Sequence, residues 1–534
     1  MAGERPRKAV IGRTTRTAAV ALAVVLGILT AAMAVTYATA RPHALPGAQR
    51  RCAEHGKRCR RSRGRHRRPH PRPVTVSTTA TVILTTANMS QALARQPALA
   101  FSPRRPGGVP VINVDDATSY QRFSGVGAGM TDSSAWLIHD GLSSTSASAV
   151  LAALFGSDGI RLHFLRVPIG ASDFTATETP YSYDDLPAGG SDPKLAHFSI
   201  AHDDAYILPT LRQVMSLDPD EFVLASPWSP PAWMKTNDSL ANRKGTGRFR
   251  DGARAALAGY IVRFLRAYRG QGVRVKAVTP QNEPDNWTAY PGMELSPAEE
   301  ARFVRVNLAP ALRRAGLPTE IYGGDVGWRS ISYAKSIARS GAVRDLAGIA
   351  THCYFGAPTS IAALHAEDPA LDEIMSECST GITPYSTTEV EISSLRNWAS
   401  VVAMWNVALN QLGGPVQPPN VGCGGCTGIF TINPFTHSAT ATIDYYELGQ
   451  VSKFVAPGAV RIASNHFVSY RYPPRQVVTS GLDDVAFRNP NGSDVLVAYD
   501  NSPRPTAFAI RSHGRYLSYR LAPGSTATFI WQVH

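Results

Sequence analysis

The chain has 534 residues, 44% of them hydrophobic, and a formal net charge of +14 at pH 7. This length allows a large buried core, and a typical domain size of roughly 150 residues predicts more than one folded unit. The charge is uneven, because residues 1–73 hold 17 Lys or Arg against two acidic residues and the rest of the chain carries about −1. A basic cleft for nucleic acid is therefore not expected in the folded part.

Residues 1–40 have the layout of an export signal. A charged head is followed by an apolar run from Thr17 to about Val35 and by the small residues Ala38-Thr39-Ala40. Such a pattern predicts secretion with cleavage after small residues, and the run is also long enough for an uncleaved membrane anchor. We expect a protein that is secreted or associated with the cell envelope.

Residues 41–73 are rich in Arg, Pro, His and Gly and have few aliphatic side chains. Such a segment buries too little apolar surface to offset chain entropy, which predicts a disordered basic linker. Its charge could associate with a membrane or an acidic envelope polymer, or simply remain solvated. Cys52 and Cys59 bracket a short loop here, and a local disulfide is expected.

Both ends of the remaining chain, residues 74–118 and 446–534, have the composition of β-strands. The first end opens with a β-branched run, Val74 to Thr86. The second contains four strand-like runs and the turn signal Asn489-Pro-Asn-Gly. The runs are Asn465 to Tyr472, Asp484 to Asn489, Asp494 to Tyr499 and Ala527 to Val533. A small antiparallel β-sandwich domain formed by both chain ends is predicted.

Between these ends, residues 119–445 alternate short apolar runs with helical patterns. Amphipathic helices are expected from Gly252 to Tyr268 and from Pro297 to Ala315, the second capped by Ser296. Eight strands are predicted, at Phe123–Met130, Leu162–Ile169, Glu221–Pro227, Val275–Pro280, Glu320–Gly324, Ala347–Tyr354, Glu373–Glu377 and Val401–Trp405. This alternation predicts an α/β fold, a (β/α)8 TIM barrel. A doubly wound sheet is the alternative, but it lacks a glycine-rich phosphate turn.

Polar and aromatic residues recur where these strands end, which is the end of a barrel that carries its chemistry. They are Asp132, Arg166, Asp173, Trp228, Trp233, Asn282, Glu283, His352, Tyr354, Glu377 and Trp405. Aromatic faces combined with charged and amide groups are typical of sugar binding. Glu283 and Glu377 each follow an apolar run, and two facing carboxylates are what hydrolysis of a glycosidic bond requires.

Six sequence motifs occur in an order that is specific to one protein family. They are Gly125 to Asp132, Leu165 to Phe174, Ala225 to Asn237, Asn282-Glu283-Pro284, Ser376-Glu377-Cys378 and Trp405-Asn406. Together they resemble glycoside hydrolase family 30, the glucosylceramidase-like retaining β-glycosidases, from about Val74 to the C-terminus. The resemblance implies that Glu283 is the general acid/base and Glu377 the nucleophile. Arg166 would keep Glu377 ionised, and that negative charge would raise the proton affinity of Glu283.

The resemblance also implies sugar-binding residues. Asn282 would bind the 2-hydroxyl of the sugar. Its other hydroxyls would be held by Asp173, Trp228 and Trp405, and Tyr354 would lie near the nucleophile. His352 fits either a site residue or a structural group, and Asp132 is expected to cap a helix. No cofactor or metal is expected, since a His-rich ligand set such as H-E-x-x-H is missing from the sequence.

The chain departs from the familiar pattern at two places. Position 353 is Cys where an aromatic residue is common, and the loop from Pro415 to Cys426 is reshaped relative to the animal lipid-cleaving enzymes. Cys353 and Cys378 are expected as small buried side chains, and Cys423 and Cys426 as a local disulfide.

The substrate therefore stays open between a glucosylceramide-like glycolipid and a β-1,6-linked glucan, as do exo or endo action and the oligomeric state. The alternative function is a non-catalytic exported protein that binds carbohydrate, or attaches to the envelope, on the same barrel.

Overall fold

The computed structural model describes residues 77–177, 179–383, 385–416, 423–465 and 481–533. The predicted signal, the predicted linker with Cys52 and Cys59, and nearly all of the strand predicted from Asn465 lie outside this part. None of the helices within it has both the length and the apolar composition that a membrane crossing requires.

The described chain begins with four strands that lie outside the barrel. They are β1 (Thr79–Thr85), β2 (Ala94–Ala100), β3 (Val111–Asn113) and β4 (Asp115–Arg122). In β1, the alternate side chains of Ala80 and Val82 are fully buried, as period-two patterning requires for a strand with one face on a core.

Eight parallel strands then close into a barrel, which confirms the predicted (β/α)8 fold. They are β5 (Gly125–Gly129), β6 (Phe164–Pro168), β7 (Phe222–Ser226), β8 (Val275–Val278), β9 (Glu320–Gly327), β10 (Gly348–His352), β11 (Asp372–Glu377) and β12 (Ala399–Met404). Each lies at a position where a strand was predicted. The apolar side chains of Phe164, Leu224, Ile374 and Val401 form one buried cluster on these strands, as expected for a filled barrel.

Ten α-helices are found in the described residues. They are α1 (Asp132–His139), α2 (Ser144–Phe155), α3 (Ile207–Leu217), α4 (Ala253–Gly270), α5 (Pro297–Phe303), α6 (Ala309–Ala315), α7 (Ile331–Ala338), α8 (Thr359–His365), α9 (Thr387–Arg396) and α10 (Ile443–Ser452). The helix predicted from Pro297 begins with a full capping box of Ser296 and Glu299. A π-helical turn, Val304–Leu308, divides it into α5 and α6.

Most of the remaining strands complete the two sheets of the sandwich, and the three strands between Ala408 and Ala441 form a small sheet of their own. They are β13 (Ala408–Asn410), β14 (Phe430–Asn433), β15 (Ser438–Ala441), β16 (Val460–Ala463), β17 (Leu482–Arg488), β18 (Ser493–Asp500), β19 (Thr506–Ser512), β20 (Arg515–Leu521) and β21 (Ser525–Gln532). One sheet has the order β2-β1-β21-β18-β17-β16-β4, and a second has the order β20-β19-β3. Because β1 pairs antiparallel with β21, with Val82 opposite Phe529, both chain ends build the sandwich as predicted.

Helix α10 connects the sandwich to the barrel. The amide of Gln450 donates to the hydroxyl of Thr85 at 2.7 Å, and the hydroxyl of Thr528 donates to the side-chain oxygen of Gln450 at 2.6 Å. Thr388 on α9 contacts Thr526 on β21 through their hydroxyls at 2.9 Å. These buried polar contacts fix the orientation of the two layers more specifically than apolar packing alone would.

Replacement of Phe529 tests the sandwich core. Its ring is fully buried and packs at 6.1 Å from the ring of Phe508. We expect Phe529→Ala to lower the free energy of unfolding by about 3–5 kcal/mol because it removes a buried ring and leaves a cavity. Denaturant unfolding measures the change, and Phe435→Ala, at a side chain 91% exposed, is the control. Equal stability of the two variants would contradict the assignment of Phe529 to the core.

Candidate active site

The functional candidates gather at the carboxyl ends of the barrel strands. Arg166 lies in β6, Asn282 and Glu283 follow β8, His352 ends β10, Glu377 ends β11 and Trp405 follows β12. A cavity of about 250 Å³ opens here and is lined by Asp173, Glu283, Tyr354, Glu377 and Trp405, among others. A larger cavity, of about 660 Å³, lies at the amino-terminal ends of β8 and β9 and contains no pair of facing glutamates.

Glu283 and Glu377 face each other across the cavity. One carboxylate oxygen of each, together with a ring nitrogen of His352, forms a group whose atoms all lie within 4.8 Å of one another. Retaining glycosidases hold their two carboxyl groups about 5–5.5 Å apart, whereas inverting enzymes need about 6.5–9.5 Å to admit a water. The spacing therefore fits a double displacement.

Arg166 ties the two sides of this site together. Its guanidinium is fully buried and donates to Glu377 Oε2 at 2.5 Å, to Asn282 Oδ1 at 2.6 Å and to Asp325 Oδ2 at 2.7 Å. The same group lies 4.6 Å from the ring centroid of Trp228. A buried cation held by two carboxylates and an aromatic face fixes the positions of all its partners.

Asp325 is the functional neighbour that the sequence analysis missed. Its side chain is fully buried in β9. One oxygen accepts from Arg166 and Thr279, and the other accepts from His352 at 3.0 Å and from Ser376 at 2.8 Å. The signal was present, because Asp325 directly follows the predicted fifth strand, the one strand to which no candidate residue was assigned.

His352 proves to be part of the site. Its Nδ1 is 3.1 Å from Glu283 Oε1 and its Nε2 is 3.0 Å from Asp325 Oδ1. Burial lowers the pKa of His352, but the charges of Glu377 and Asp325 and the hydrogen bonds to Asp325 and Glu283 outweigh burial and raise the pKa to about 10. His352 is therefore an imidazolium at neutral pH, with both ring nitrogens acting as donors.

The pKa values of the two glutamates are shifted in directions opposite to the expectation. Burial raises the pKa of Glu377 above its ordinary value, although the charges of His352 and Arg166 oppose it. Burial also acts to raise the pKa of Glu283, but the hydrogen bond and charge of His352 and the hydrogen bond from Asn286 bring that pKa below its ordinary value. The expectation considered the charges of Arg166 and Glu377 but omitted burial, which dominates at Glu377, and the His352 contact, which lowers the pKa of Glu283.

Aromatic rings form one wall of the site. The rings of Trp228 and Trp405 stack with centroids 5.1 Å apart and planes at 17°, and Phe174 meets Trp405 edge-on. Gly129 makes room for this wall, since a Cβ there would lie 2.4 Å from the Trp405 ring. The wall gives a sugar an apolar surface beside the two glutamates.

Asp173 lines the same cavity and is nearly buried. Its Oδ1 has no hydrogen-bond partner in the described part of the chain. Burial, helped by the negative charge of Glu377, raises the pKa of Asp173 to about 8. A buried polar group left unpaired is costly, so Asp173 is well suited to bind a hydroxyl group that a ligand brings.

Comparisons with known proteins agree with this geometry. The profile of the glycosyl hydrolase family 30 TIM-barrel domain matches residues 123–455, and that of the family's beta sandwich domain matches residues 458–529. The chain belongs to glycosyl hydrolase family 30 and is a glycoside hydrolase.

Three similar proteins represent the relatives. The endo-1,6-β-D-glucanase neg1 of Aspergillus fumigatus is 32% identical, with 72% of this chain and 80% of the relative covered. The lysosomal acid glucosylceramidase of Mus musculus is 28% identical, with 81% and 85% covered. The solved structure of the endo-β1,6-glucanase BT3312 superposes with a TM-score of 0.74 at 26% identity, with 85% of this chain and 99% of that structure covered.

Two of the strand-end residues considered for the site of this family 30 enzyme, Asp132 and Trp233, make hydrogen bonds within the protein. Asp132 accepts from the amide of Ala176 at 2.7 Å and from the hydroxyl of Tyr206 at 2.9 Å. The expectation that it caps a helix was wrong, because Thr131 is the N-cap of α1. Trp233 is buried and donates to Asp184 at 2.9 Å.

The cysteines follow the expectation only in part. The predicted disulfide between Cys423 and Cys426 is present. Cys353 and Cys378 are buried, as expected, but they are joined to each other with Cα atoms 5.2 Å apart. The expectation that these two side chains pack separately was wrong. The sequence does not show that they are close, because they are brought together by the pairing of β10 with β11. This disulfide directly follows His352 and Glu377 in sequence and links the strands that carry them.

Within the described part of the chain, three groups of side chains have spacings that could hold a metal ion. One is Glu283, His352 and Glu377, the second is His163, Asp218 and Glu221, and the third is Asp184, Asp192 and His197. In the first group His352 is protonated at neutral pH and donates to carboxylates, so its nitrogens are not free as ligands.

Asp325→Asn tests the charge cluster. The variant leaves Arg166 and His352 short of a buried negative charge, and we expect the free energy of unfolding at pH 7 to fall by about 3–5 kcal/mol. The control is Asp345→Asn, whose partner Arg313 is 64% exposed, and a change within about 1 kcal/mol is expected there. Urea denaturation measures both variants, and losses of similar size would contradict the cluster's importance.

The same variant has a defined pH dependence. Burial acts to raise the pKa of Asp325, but the charges and hydrogen bonds of Arg166 and His352 hold it far below its ordinary value. The stability contribution of this carboxylate is therefore complete above the unfolded-state pKa of about 4 and shrinks as the pH falls below it. The stability difference between the wild type and Asp325→Asn should follow that course.

Proposed function

We propose that this family 30 enzyme hydrolyses β-glucosidic bonds with retention of configuration, with Glu377 as nucleophile and Glu283 as general acid/base. The observation that carries the proposal is the separation of the two carboxylates, within 4.8 Å at their facing oxygens. That separation leaves room for the anomeric carbon and not for an intervening water.

In the first step an oxygen of Glu377 forms a bond to the anomeric carbon, the bond from that carbon to the leaving oxygen breaks, and Glu283 gives its proton to the leaving oxygen. In the second step a water loses a proton to Glu283, its oxygen bonds to the anomeric carbon, and the bond to Glu377 breaks. Arg166 holds Glu377 Oε2 at 2.5 Å and so fixes which oxygen attacks.

The proton used in the first step is shared between His352 and Glu283. The pKa of Glu283 lies below its ordinary value and that of His352 is about 10. The proton therefore rests on Nδ1 of His352, 3.1 Å from Glu283 Oε1. It moves to Glu283 as the leaving oxygen takes up negative charge, and it returns when water is deprotonated in the second step.

A β-1,6-linked glucan is the proposed substrate, in preference to glucosylceramide. The endo-1,6-β-D-glucanase neg1 is more similar in sequence than the mouse glucosylceramidase, at 32% against 28% identity. Asn282 would bind the 2-hydroxyl of the sugar in the site, Asp173, Trp228 and Trp405 would hold the rest of it, and Tyr354 would line it near Glu377. The paired carboxylates favour this reading over the non-catalytic alternative, which requires neither of them.

Export is proposed together with this activity. The apolar run at residues 17–35 supports it, and so do the two disulfides, Cys353–Cys378 and Cys423–Cys426, since such bonds persist mainly in oxidising compartments. Association with a membrane or envelope would depend on the basic segment within residues 1–73.

Variants of the two glutamates separate their roles. Glu377→Gly should lower kcat on an aryl β-glucoside by about 10⁴-fold or more because no covalent intermediate can form. Added azide should restore turnover and give α-glucosyl azide, since it attacks from the vacated side. Glu283→Ala should lose about 10²–10⁴-fold, and azide should then give the β-glucosyl product.

NMR of the product anomers measures these outcomes, and the wild type should release β-glucose first. Glu367→Gln, which removes a surface carboxylate paired with Lys335 and Arg339, should retain full activity. Undiminished turnover by Glu377→Gly, or α-glucose as the first wild-type product, would refute the mechanism.

The pH profile tests His352. The acid limb of kcat/KM reports ionisation of Glu377 and the alkaline limb reports deprotonation of the His352–Glu283 pair. In His352→Gln the positive charge that lowers the pKa of Glu377 is absent, so the acid limb should move to higher pH. An unchanged acid limb would contradict the role of His352, and His139→Gln, at an exposed site, is the control.

A further inference from the structure

The order of the barrel strands divides the cavity lining into two halves, one from segments at the ends of β6, β11 and β12 and one from segments after β8, β9 and β10. Asp173 and Trp405 line one half, next to Glu377, where the glucosyl unit that reacts would lie. Asp285, Arg329 and Phe355 line the other half, on the segments that follow β8, β9 and β10. Because the general acid must touch the leaving oxygen, the second half lies where the leaving group would be held.

Phe355 has an unusual backbone conformation in this second half. Its φ is +49°, a value that is rare and costly for a bulky residue. The next residue, Gly356, has φ +146°, and a Cβ there would lie 2.8 Å from the Trp328 side chain. The turn is thus held by packing, and the ring of Phe355 stays 47% exposed at the cavity.

Arg329 stacks on this ring. Its guanidinium carbon lies 5.0 Å from the ring centroid, within the range of a cation–π contact. The guanidinium offers several N–H donors, and the carboxylate of Asp285, which accepts from Ser330, offers an acceptor. The ring of Phe355 with Arg329 over it, and the acceptor Asp285 in the same cavity, suit a ring that carries hydroxyl groups better than an alkyl chain, which has no group to hydrogen-bond with either charge.

We propose that Phe355 and Arg329 form a subsite for the leaving-group sugar of a β-linked glucan, with Asp285 as its hydroxyl acceptor. This inference rests on the proposed function. The ring of Phe355 packs on the C–H face of the sugar, and Arg329 and Asp285 bind its hydroxyl groups. The subsite determines which leaving group is accepted and does not take part in bond breaking.

Two substrates separate the subsite from the chemistry. A β-1,6-linked glucotetraose needs the subsite, whereas β-glucosyl fluoride has a leaving group too small to touch it. For Phe355→Ala and Arg329→Ala we expect kcat/KM on the tetraose to fall about tenfold or more, with kcat/KM on the fluoride within about twofold of the wild type. Phe355→Leu, which keeps apolar volume without the aromatic face, should show the same split.

Trp287→Ala is the matched control. Trp287 is an exposed aromatic residue, 66% exposed, on the segment that follows Glu283, but it does not line the cavity. Its replacement should leave kcat/KM on both substrates unchanged. Thermal unfolding of each variant shows whether the fold is retained.

Three results would overturn the subsite. They are an equal fall on both substrates, no fall on the tetraose, and a fall on glucosylceramide in detergent micelles without one on the tetraose, which would assign this surface to a lipid. A wild-type enzyme that cleaves neither the fluoride nor the tetraose would refute the proposed function itself. If the wild type is active but the variants do not lose kcat/KM selectively on the tetraose, the subsite alone would be refuted.

Discussion

The buried guanidinium of Arg166 is the interaction on which the rest of the site depends. It is fully enclosed and joins Glu377, Asp325 and Asn282 within 2.7 Å. A charge so far from water is tolerated only when its partners are fixed around it, because desolvation costs several kcal/mol per ion. The requirement acts in both directions, since Arg166 needs carboxylates and the carboxylates, once buried, need Arg166 and His352. The barrel therefore holds Glu377, which we propose as the nucleophile, in one position.

Asp325 extends this network to the second glutamate. Through His352 it connects to Glu283, so that both glutamates of the candidate site belong to one hydrogen-bonded group. The backbone supports the group at a cost, because Glu283 and Asp325 both have positive φ values, +42° and +54°. Such strain persists only where the surroundings determine the conformation, and here they include the disulfide Cys353–Cys378 directly after His352 and Glu377.

The cavity beyond this network differs in character. The carboxylates of the network are tied by hydrogen bonds to the buried Arg166 and His352, whereas Arg329, Phe355 and Asp285 are exposed and line the cavity. Residues of the first kind are constrained by one another, and residues of the second kind can change without disturbing the charge cluster.

The sequence by itself determined the eight barrel strands, the sandwich from both chain ends and the strand-end positions of Arg166, Glu283 and Glu377, because these depend on local patterning and on motifs in a fixed order. Tertiary structure decided what depends on neighbours from distant strands. The pairing of β10 with β11 joined Cys353 to Cys378, and the closing of the barrel brought His352 against Glu283 and made Asp325 the shared partner of two cations. The pKa directions of the glutamates followed from those contacts, since burial and charge act through space and leave no local pattern in the chain.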